Sequence, residues 1–575
     1  MIKGVFKENI AMDNDLFLKE NESFNIISNN LIVSQYGENK FKDDNISFED
    51  DELIVVSDGV ILNSKQLINK FRVRNIFYLI KKMYFEKGEK FASELRGPFN
   101  IILYDKHKNK LYLYTNQFAD KQIFYFYDND ILIFASDIYE VKELGRRFKA
   151  EFSLDIESAY NLITYSYMME DKTLLKQVKK VKAGCFLCAS KQSINLMRYH
   201  RFNNEILYTS NSEKILNQMD ELFREAVKLE YEKDNEYGYW HITSLSGGLD
   251  SRMTTWVAND LGYKNIVNMT FSKSGYLDQT IAQEISTYLG TRFIFKSLDD
   301  CEYIKYVDRV TKMNSGMSCY SGAAHGLSMM ELVDFKRMGL IHTGMLGDVI
   351  VGTFSSYPYH GNAQKGQGAY SETLKDRLNT IENEYENEEL FKLYGRGFNC
   401  ALNSSSVSQH YGEVVSPFID IDFMQFCLNV DVALRYKHKL YYKWILSKYP
   451  EAGSFIYEKK GIKVSSPLLK HDFFRKLFVE APRKVEKANA RVKYKLGISN
   501  TNAYSKNMNP FEFWYQTNFE MSNFINNYFK ENIYILDGYK QLQDDVDRMF
   551  SNSNAREKMQ ILTLLSACKQ LFKEK

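Results

Sequence analysis

The stretch Ser244 to Met253, SLSGGLDSRM, gathers small and hydroxyl-bearing residues around one carboxylate. Ahead of it, Tyr239-Trp240-His241-Ile242-Thr243 is a β-branched and aromatic run that reads as a buried strand. After it, Met253, Trp256, Val257 and Leu261 recur at helical spacing up to Gly262. A turn between strand and helix lets successive backbone N–H groups converge and points a helix N-terminus at the same spot, an arrangement that holds phosphate. Ser246 and Ser251 add hydroxyls, Gly247 and Gly248 let a ligand approach the backbone, and Asp250 suits a magnesium ion that bridges phosphates. The spacing GxxxxGK[ST] and its lysine are absent, so the turn is not of Walker type. The competing reading is a tight Ser-Gly turn with Asp250 as a helix cap.

A second glycine-bearing turn, GMLGDVIVGTF, follows the strand-like LIHT (Leu340 to Thr343) and carries Asp348. In an open parallel sheet two strand ends face one cleft, which would let Asp250 and Asp348 share a magnesium ion. Taken alone, Asp348 also fits a turn or a helix cap.

The elements that must position these residues fall into two regions. Residues 1–205 are rich in short alternating runs separated by turn signals such as DKHKNK and YDND, which read as hairpins of antiparallel sheets. Residues 206–575 alternate strand with helix: NIVNMTF (Asn265 to Phe271), a helix with Ile281, Ile285 and Leu289 ending at Gly290, RFIFK (Arg292 to Lys296), a helix around Met329 to Phe335, then LIHT. That order predicts a parallel sheet covered by helices, with ligands at the carboxyl ends of its strands. A polar stretch, 355–389, interrupts the pattern and reads as an insertion or mobile loop serving substrate selection or gating, or as a solvated surface excursion. From about Pro467 the chain reads as mostly helical, and its basic run RKVEKANARVKYK as a solvated helix face rather than a nucleic-acid patch.

The chain of 575 residues is 44% hydrophobic and 26% charged with a formal charge of +2, ordinary for a globular protein of two or three domains and against wholesale nucleic-acid binding. The first residues, MIKGVFKENIAMDND, lack the apolar core of a signal peptide, and no long uncharged apolar stretch occurs, so a cytoplasmic protein without a membrane span is expected. Seven scattered cysteines fit reduced thiols; the close pair Cys185 and Cys188 reads as part of a strand rather than as half of a zinc site.

SGGLDS, then TGMLGD, SPFID (Ser416 to Asp420), KWILSKYPE and YEKKGIKVSSP resemble the motif order of the asparagine synthetase family, which includes β-lactam synthetase. LRGPFNIILYDKHKNKLYLYTNQFADKQIFYF and ILIFASDIYEVKEL resemble that family's glutaminase-type sandwich, so the resemblance spans nearly the whole chain. It implies an N-terminal Ntn-type antiparallel sandwich (αββα), then a parallel-sheet ATP-pyrophosphatase domain with a helical C-terminal part. The implied reaction activates a carboxylate as an acyl-adenylate with ATP and magnesium, releases pyrophosphate and AMP, and forms an amide. By resemblance Leu245, Ser246, Gly247, Gly248, Asp250, Ser251 and Gly344 bind the nucleotide, Asp250 and Asp348 the metal, and Lys459 of YEKKG, with Asp348, serves catalysis. A fixed ammonium suits a site where negative charge develops; without the motif, Lys459 would read as a surface lysine beside Lys460.

Two departures stand out. Family glutaminases use a cysteine directly after the initiator methionine, whereas here Met1-Ile2-Lys3-Gly4 opens the chain and no cysteine precedes Cys185, so no glutamine hydrolysis is expected. Asparagine synthetases carry glutamate, and β-lactam synthetase tyrosine, where this chain has Met345, and a thioether accepts no proton at neutral pH. The expected activity is therefore an amide ligase taking its amine from ammonia or from the substrate, on a small-molecule, saccharide or peptide carboxylate, alongside biosynthetic partner proteins. A lasso-type macrolactam cyclase and a non-catalytic scaffold are the alternatives. tRNA thiolation or lysidine chemistry shares the phosphate turn, but the β-rich first half speaks against it.

Overall fold

A computed structural model describes residues 1–10, 22–37, 40–191, 193–210, 213–469 and 508–573. The basic run RKVEKANARVKYK lies outside them.

Among the described residues twelve strands build the amino-terminal half: β1 (Ile2–Phe6), β2 (Glu22–Ile27), β3 (Leu31–Tyr36), β4 (Ser47–Glu49), β5 (Leu53–Gly59), β6 (Phe99–Asp105), β7 (Lys110–Thr115), β8 (Phe124–Asp128), β9 (Ile131–Ala135), β10 (Val178–Lys180), β11 (Cys185–Ser190) and β12 (Ser193–Arg198). They form two six-stranded antiparallel sheets, ordered β10-β8-β9-β1-β3-β2 and β12-β11-β7-β6-β5-β4. Every residue of β6 is buried because both of its faces are covered. Ile102 and Tyr104 face the sister sheet, while Phe99, Ile101 and Leu103 pack under the helices Ser64–Phe71 and Ile76–Lys87. The helices Ile138–Arg147 and Ile156–Tyr165 cover the other sheet, completing an αββα stack. Cys185 and Cys188, three apart on β11, fall on opposite faces, one in the inter-sheet core and one under the outer helices, which is why they cannot ligate one ion.

The second sheet region is parallel, ordered β15-β14-β13-β16-β17: β13 (Trp240–Ser244), β14 (Ile266–Ser272), β15 (Arg292–Ser297), β16 (Met338–His342) and β17 (Val414–Val415). The helices Asp250–Asp260 and Leu277–Leu289 follow β13 and β14, and Gly290 closes the second of them with a left-handed φ of 68°. One face of the sheet lies under these helices and the long helix Glu213–Glu236; the other carries Met329 and Met330 of the helix Ser321–Met330. The helix expected around Met329 to Phe335 is thus displaced: the chain leaves the helix at Met330, exposes Leu332, and restarts as a short turn at Phe335–Arg337 capped by Asp334. Four later helices, from Phe511–Thr517 to Ala555–Phe572, pack into the same cluster as Ile138 and Leu162 and so join the two halves.

The 355–389 stretch is docked rather than free-standing: Leu374 and Leu378 are buried, and the N–H groups of Tyr370 and Ser371 both donate to Thr164 O at 3.0 Å. Among the described residues no helix is long and apolar enough to cross a membrane.

Candidate active site

The first turn leaves β13 through the buried Leu245, whose N–H donates to Met269 O at 3.0 Å. Ser251 Oγ accepts from Ser246 N at 3.0 Å and lies 3.0 Å from Ser246 Oγ, which in turn accepts from Gly248 N at 3.2 Å. The serines therefore shape the turn from within. Gly247 N donates to Asp278 Oδ1 at 2.7 Å, so a carboxylate holds one of the donors a phosphate would use. Burial pushes Asp278 up to about 6. The helix behind the turn starts at Leu249 without a side-chain cap, which leaves its first N–H groups for a ligand. Asp250 is its first helical residue and does not act as a cap.

The second turn presses directly on the first. A Cβ on Gly344 would stand 2.2 Å from Ser251 N, and one on Gly347 2.6 Å from Asp250 Cγ, so both positions require glycine. Leu346 takes a left-handed φ of 66° to make this approach. Asp348 follows, its backbone N–H directed to the Asp250 carboxylate. Asp250 Oδ1 also accepts from the buried Tyr441 hydroxyl at 2.9 Å. Burial first, and then the charge of Asp348, hold Asp250 well above the usual carboxylate range. Two facing hard-oxygen donors with so little neutralisation fit a magnesium ion.

Lys459 supplies the nearby cation, its Nζ 3.4 Å from Asp348 Oδ2. It stands in the turn between two short strands, Ile456–Tyr457 and Ile462–Lys463, and that hairpin is tied to the phosphate turn by a residue the sequence reading passed over. Arg252 is fully buried; its guanidinium donates to Ala452 O at 3.0 Å, Ile456 O at 2.6 Å and Gly247 O at 3.1 Å. Glu458 N adds a bond to Gly247 O at 3.1 Å. A charged residue one step before the core-facing Met253 was the available signal for Arg252. Tyr441, Asp278 and Glu458 gave none, being brought in from distant segments.

Met345 packs its thioether among apolar side chains, while its carbonyl accepts from Ser416 Oγ at 3.0 Å. The ring of His438 lies beside Gly352, and burial pushes it down to about 4, keeping it neutral.

Beneath the sheet, Asp234, His241 and His342 bring ligand-type atoms within 4.8 Å of one another. Asp234 Oδ2 is 2.8 Å from His241 Nδ1 and from His342 Nε2, hydrogen-bond distances shorter than the roughly 3.3 Å that tetrahedral zinc imposes between its ligands. His342 Nδ1 contacts Glu230 Oε2 at 3.1 Å, so the group is a buried proton network. Burial alone would lower His342, but Asp234 with Glu230 outweighs it and pushes the imidazole up to about 9.

Comparison with known proteins matches a glutamine amidotransferase domain to residues 42–200 and an asparagine synthase domain to residues 218–396. Asparagine synthetase [glutamine-hydrolyzing] 1 of Bacillus subtilis (strain 168) is 23% identical over 274 residues, covering 46% of this chain and 42% of that protein. Asparagine synthetase [glutamine-hydrolyzing] 2 of the same organism is 28% identical over 228 residues, 35% of this chain and 28% of that one. The putative asparagine synthetase [glutamine-hydrolyzing] 2 of Methanocaldococcus jannaschii is 24% identical over 233 residues, 38% and 43% of the two chains. The chain thus matches less than half the length of these relatives. Among solved structures, a glutamine phosphoribosylpyrophosphate amidotransferase from B. subtilis complexed with ADP and GMP aligns at a TM-score of 0.26 and 8% identity, over 52% of this chain and 85% of that one. An NH3-dependent NAD synthetase from Campylobacter jejuni aligns at 0.18 and 16% identity, over 25% and 61%.

Proposed function

We propose, for a chain that belongs to the asparagine synthetase family, an ATP-dependent amide ligase that forms AMP and pyrophosphate. The observation that carries the reading is the seating of two glycine turns against each other, with Asp250 and Asp348 adjoining and Lys459 beside them. ATP would lie with its β- and γ-phosphates on the turn Ser246–Ser251, after Asp278 gives up Gly247 N–H. Asp250 and Asp348 would hold magnesium, which neutralises the pyrophosphate. A substrate carboxylate oxygen attacks the α-phosphorus, the bond to the bridging oxygen breaks, and pyrophosphate leaves. Negative charge grows at the phosphorus oxygens in that step, and the Lys459 ammonium stabilises it there. An amine nitrogen then attacks the acyl carbon, AMP leaves with the electron pair of the C–O bond, and the nitrogen loses one proton to give the amide. Met345 takes no part in that proton transfer.

The amine is ammonia or a group of the substrate itself, because no cysteine precedes Cys185, and Cys185 and Cys188 are buried in β11. The cavity of about 220 Å³ at the start of β1 is lined by Met1, Asp58, Asn100, Lys121 and Glu413 among others, and no cysteine. Met1 N sits 2.8 Å from Asp58 Oδ1, and Lys121 Nζ 2.7 Å from Glu413 Oε1, so charge pairs fill the place. The carboxylate substrate belongs to a small molecule, a saccharide or a peptide.

Incubation with ATP, magnesium, ammonium and fractionated saccharide and peptide carboxylates tests the reading. AMP and pyrophosphate should appear in equal amounts and only with the correct fraction. Accumulation of ADP would refute adenylation.

A further inference from the structure

A second, smaller cavity of about 80 Å³ lies where β10 and the turn into β11 meet the end of the 355–389 stretch and the helix that follows it. Its wall carries Lys180, Lys182, Arg198 and Arg201 against Glu170 and Glu384. Two of the cations are locally paired: Lys182 Nζ lies 2.7 Å from Glu170 Oε2, and Arg201 Nη2 2.7 Å from Glu386 Oε1. The Tyr385 hydroxyl takes the other oxygen of Glu170.

Lys180 is different. It is 2% exposed, and its ammonium donates at 2.5 Å to the neutral amide oxygen of Asn399. Arg198 is placed against the Cys185 thiol. Among the described residues neither has a carboxylate at ion-pair distance. The Tyr394 hydroxyl on the same wall accepts from Phe202 N at 3.0 Å, and among the described residues nothing accepts its own proton. An ammonium taken out of water without a counter-ion is costly, and a site that keeps one calls for an anion. Burial accordingly pushes Lys180 down to about 8, against the pull of Glu170 and Asp171.

We propose that this cavity binds a small oxyanion of the phosphate class, received by Lys180, Arg198 and the Tyr394 hydroxyl. The volume of about 80 Å³ is several times the roughly 10–15 Å³ that a single water requires and accommodates one such ion. An ion there fastens residues 180–198 of the first half to residues 384–399 of the second, the latter continuing from the stretch that leaves Asp348. The site is separate from the phosphate turn and does not depend on the ligase reading.

Calorimetric titration with inorganic phosphate, and in parallel with glucose 1-phosphate, at constant ionic strength tests the proposal. Binding of phosphate alone assigns the free ion, tighter binding of the ester assigns a monoester, and equal binding shows that only the shared phosphate group is recognised; each supports the site. Arg198 is exposed, so Arg198→Ala should fold normally, and losing one charged hydrogen bond should weaken the binding about tenfold. Lys180→Met should abolish it. The phosphate turn also attracts anions, so the component assigned to the cavity is the one these substitutions remove. If Arg198→Ala, with an unchanged circular dichroism spectrum and unfolding midpoint, titrates as the parent does, the proposal fails. It fails equally if the parent takes up no phosphate below about 20 mM.

Discussion

In the proposed reaction Lys459 and Asp250 are asked for charge at different moments. The Lys459 ammonium is half exposed and only 3.4 Å from Asp348, so its attraction for bound ATP is well screened, whereas its effect on the attacked phosphorus is greatest as negative charge accumulates. Lys459→Ala should therefore lower kcat by about a hundredfold or more and change the ATP dissociation constant by no more than a few-fold, as single-turnover kinetics and calorimetry can separate. Equal losses in both would assign Lys459 to ground-state binding. Asp250→Asn removes one of two hard donors and should abolish most of the rise in unfolding temperature caused by ATP with magnesium, while leaving the midpoint without ligand near the parent's, since a carboxyl whose ionisation burial and Asp348 already disfavour is replaced by a neutral amide of the same shape. At this scale the turn from Leu245 to Ser251 was readable as a link between strand and helix because its residues are contiguous. Tyr441 was not: it reaches Asp250 across 191 positions, and nothing in its neighbours announces that contact.

The elements do their work through close approach. Gly344 faces Ser251 N at a distance no Cβ tolerates, so Gly344→Ala must push the two strand ends apart, costing about 1–3 kcal/mol of stability and most of the ATP response. Should the variant keep the parent's ATP affinity, the turns are not jointly the nucleotide site. Arg252 links three segments, and Arg252→Met would take the guanidinium from the carbonyls of Ala452 and Ile456 and leave Gly247 O with the Glu458 N–H alone. With about 1–3 kcal/mol at stake per buried unpaired group, the unfolding free energy should drop by a few kcal/mol, and turnover should fall more than ATP affinity, because the hairpin carrying Lys459 is released. β13 to β16 were legible to within a residue or two because apolar, β-branched runs between turn signals leave little choice. β17, two residues long, shows no period, and the helix Ser321–Met330 was misplaced because small residues such as Ser321, Gly322 and Ala323 gave its first turns no apolar stripe. The antiparallel sheets were readable from hairpin signals and their αββα stacking followed from the family resemblance, while the helices that cover the outer face of β6 became visible only in three dimensions.

The whole molecule is built around a charged interior, and its stability should register that. His342, at about 9 against 6.5 for a free imidazole, binds its proton more tightly folded than unfolded, so its contribution is complete below pH 6.5 and is lost as pH rises to about 9. Glu230, pushed up to about 7 chiefly by burial, gives up its share in the same direction between pH 4.5 and 7. The unfolding midpoint should fall between pH 6.5 and 9, and His342→Asn should flatten that fall; an identical slope in the variant would locate the titrating group elsewhere. At the same scale, the parent protein should release no glutamate from glutamine with or without ATP, and sustained release by purified protein would overturn the reading of its first half. The parallel sheet also bears on how the chain comes to be competent during synthesis. β13 pairs with β14, its neighbour in sequence, but its other edge waits for β16, and β16 waits in turn for β17. Arg252 finds its last acceptor at Ile456, and Lys459 comes later still. A nascent polypeptide halted between Ser251 and that hairpin carries the whole SGGLDS motif but lacks the segment that holds Arg252 and supplies Lys459, so on the reading proposed above the order in which translation delivers the strands would make competence for turnover a late event.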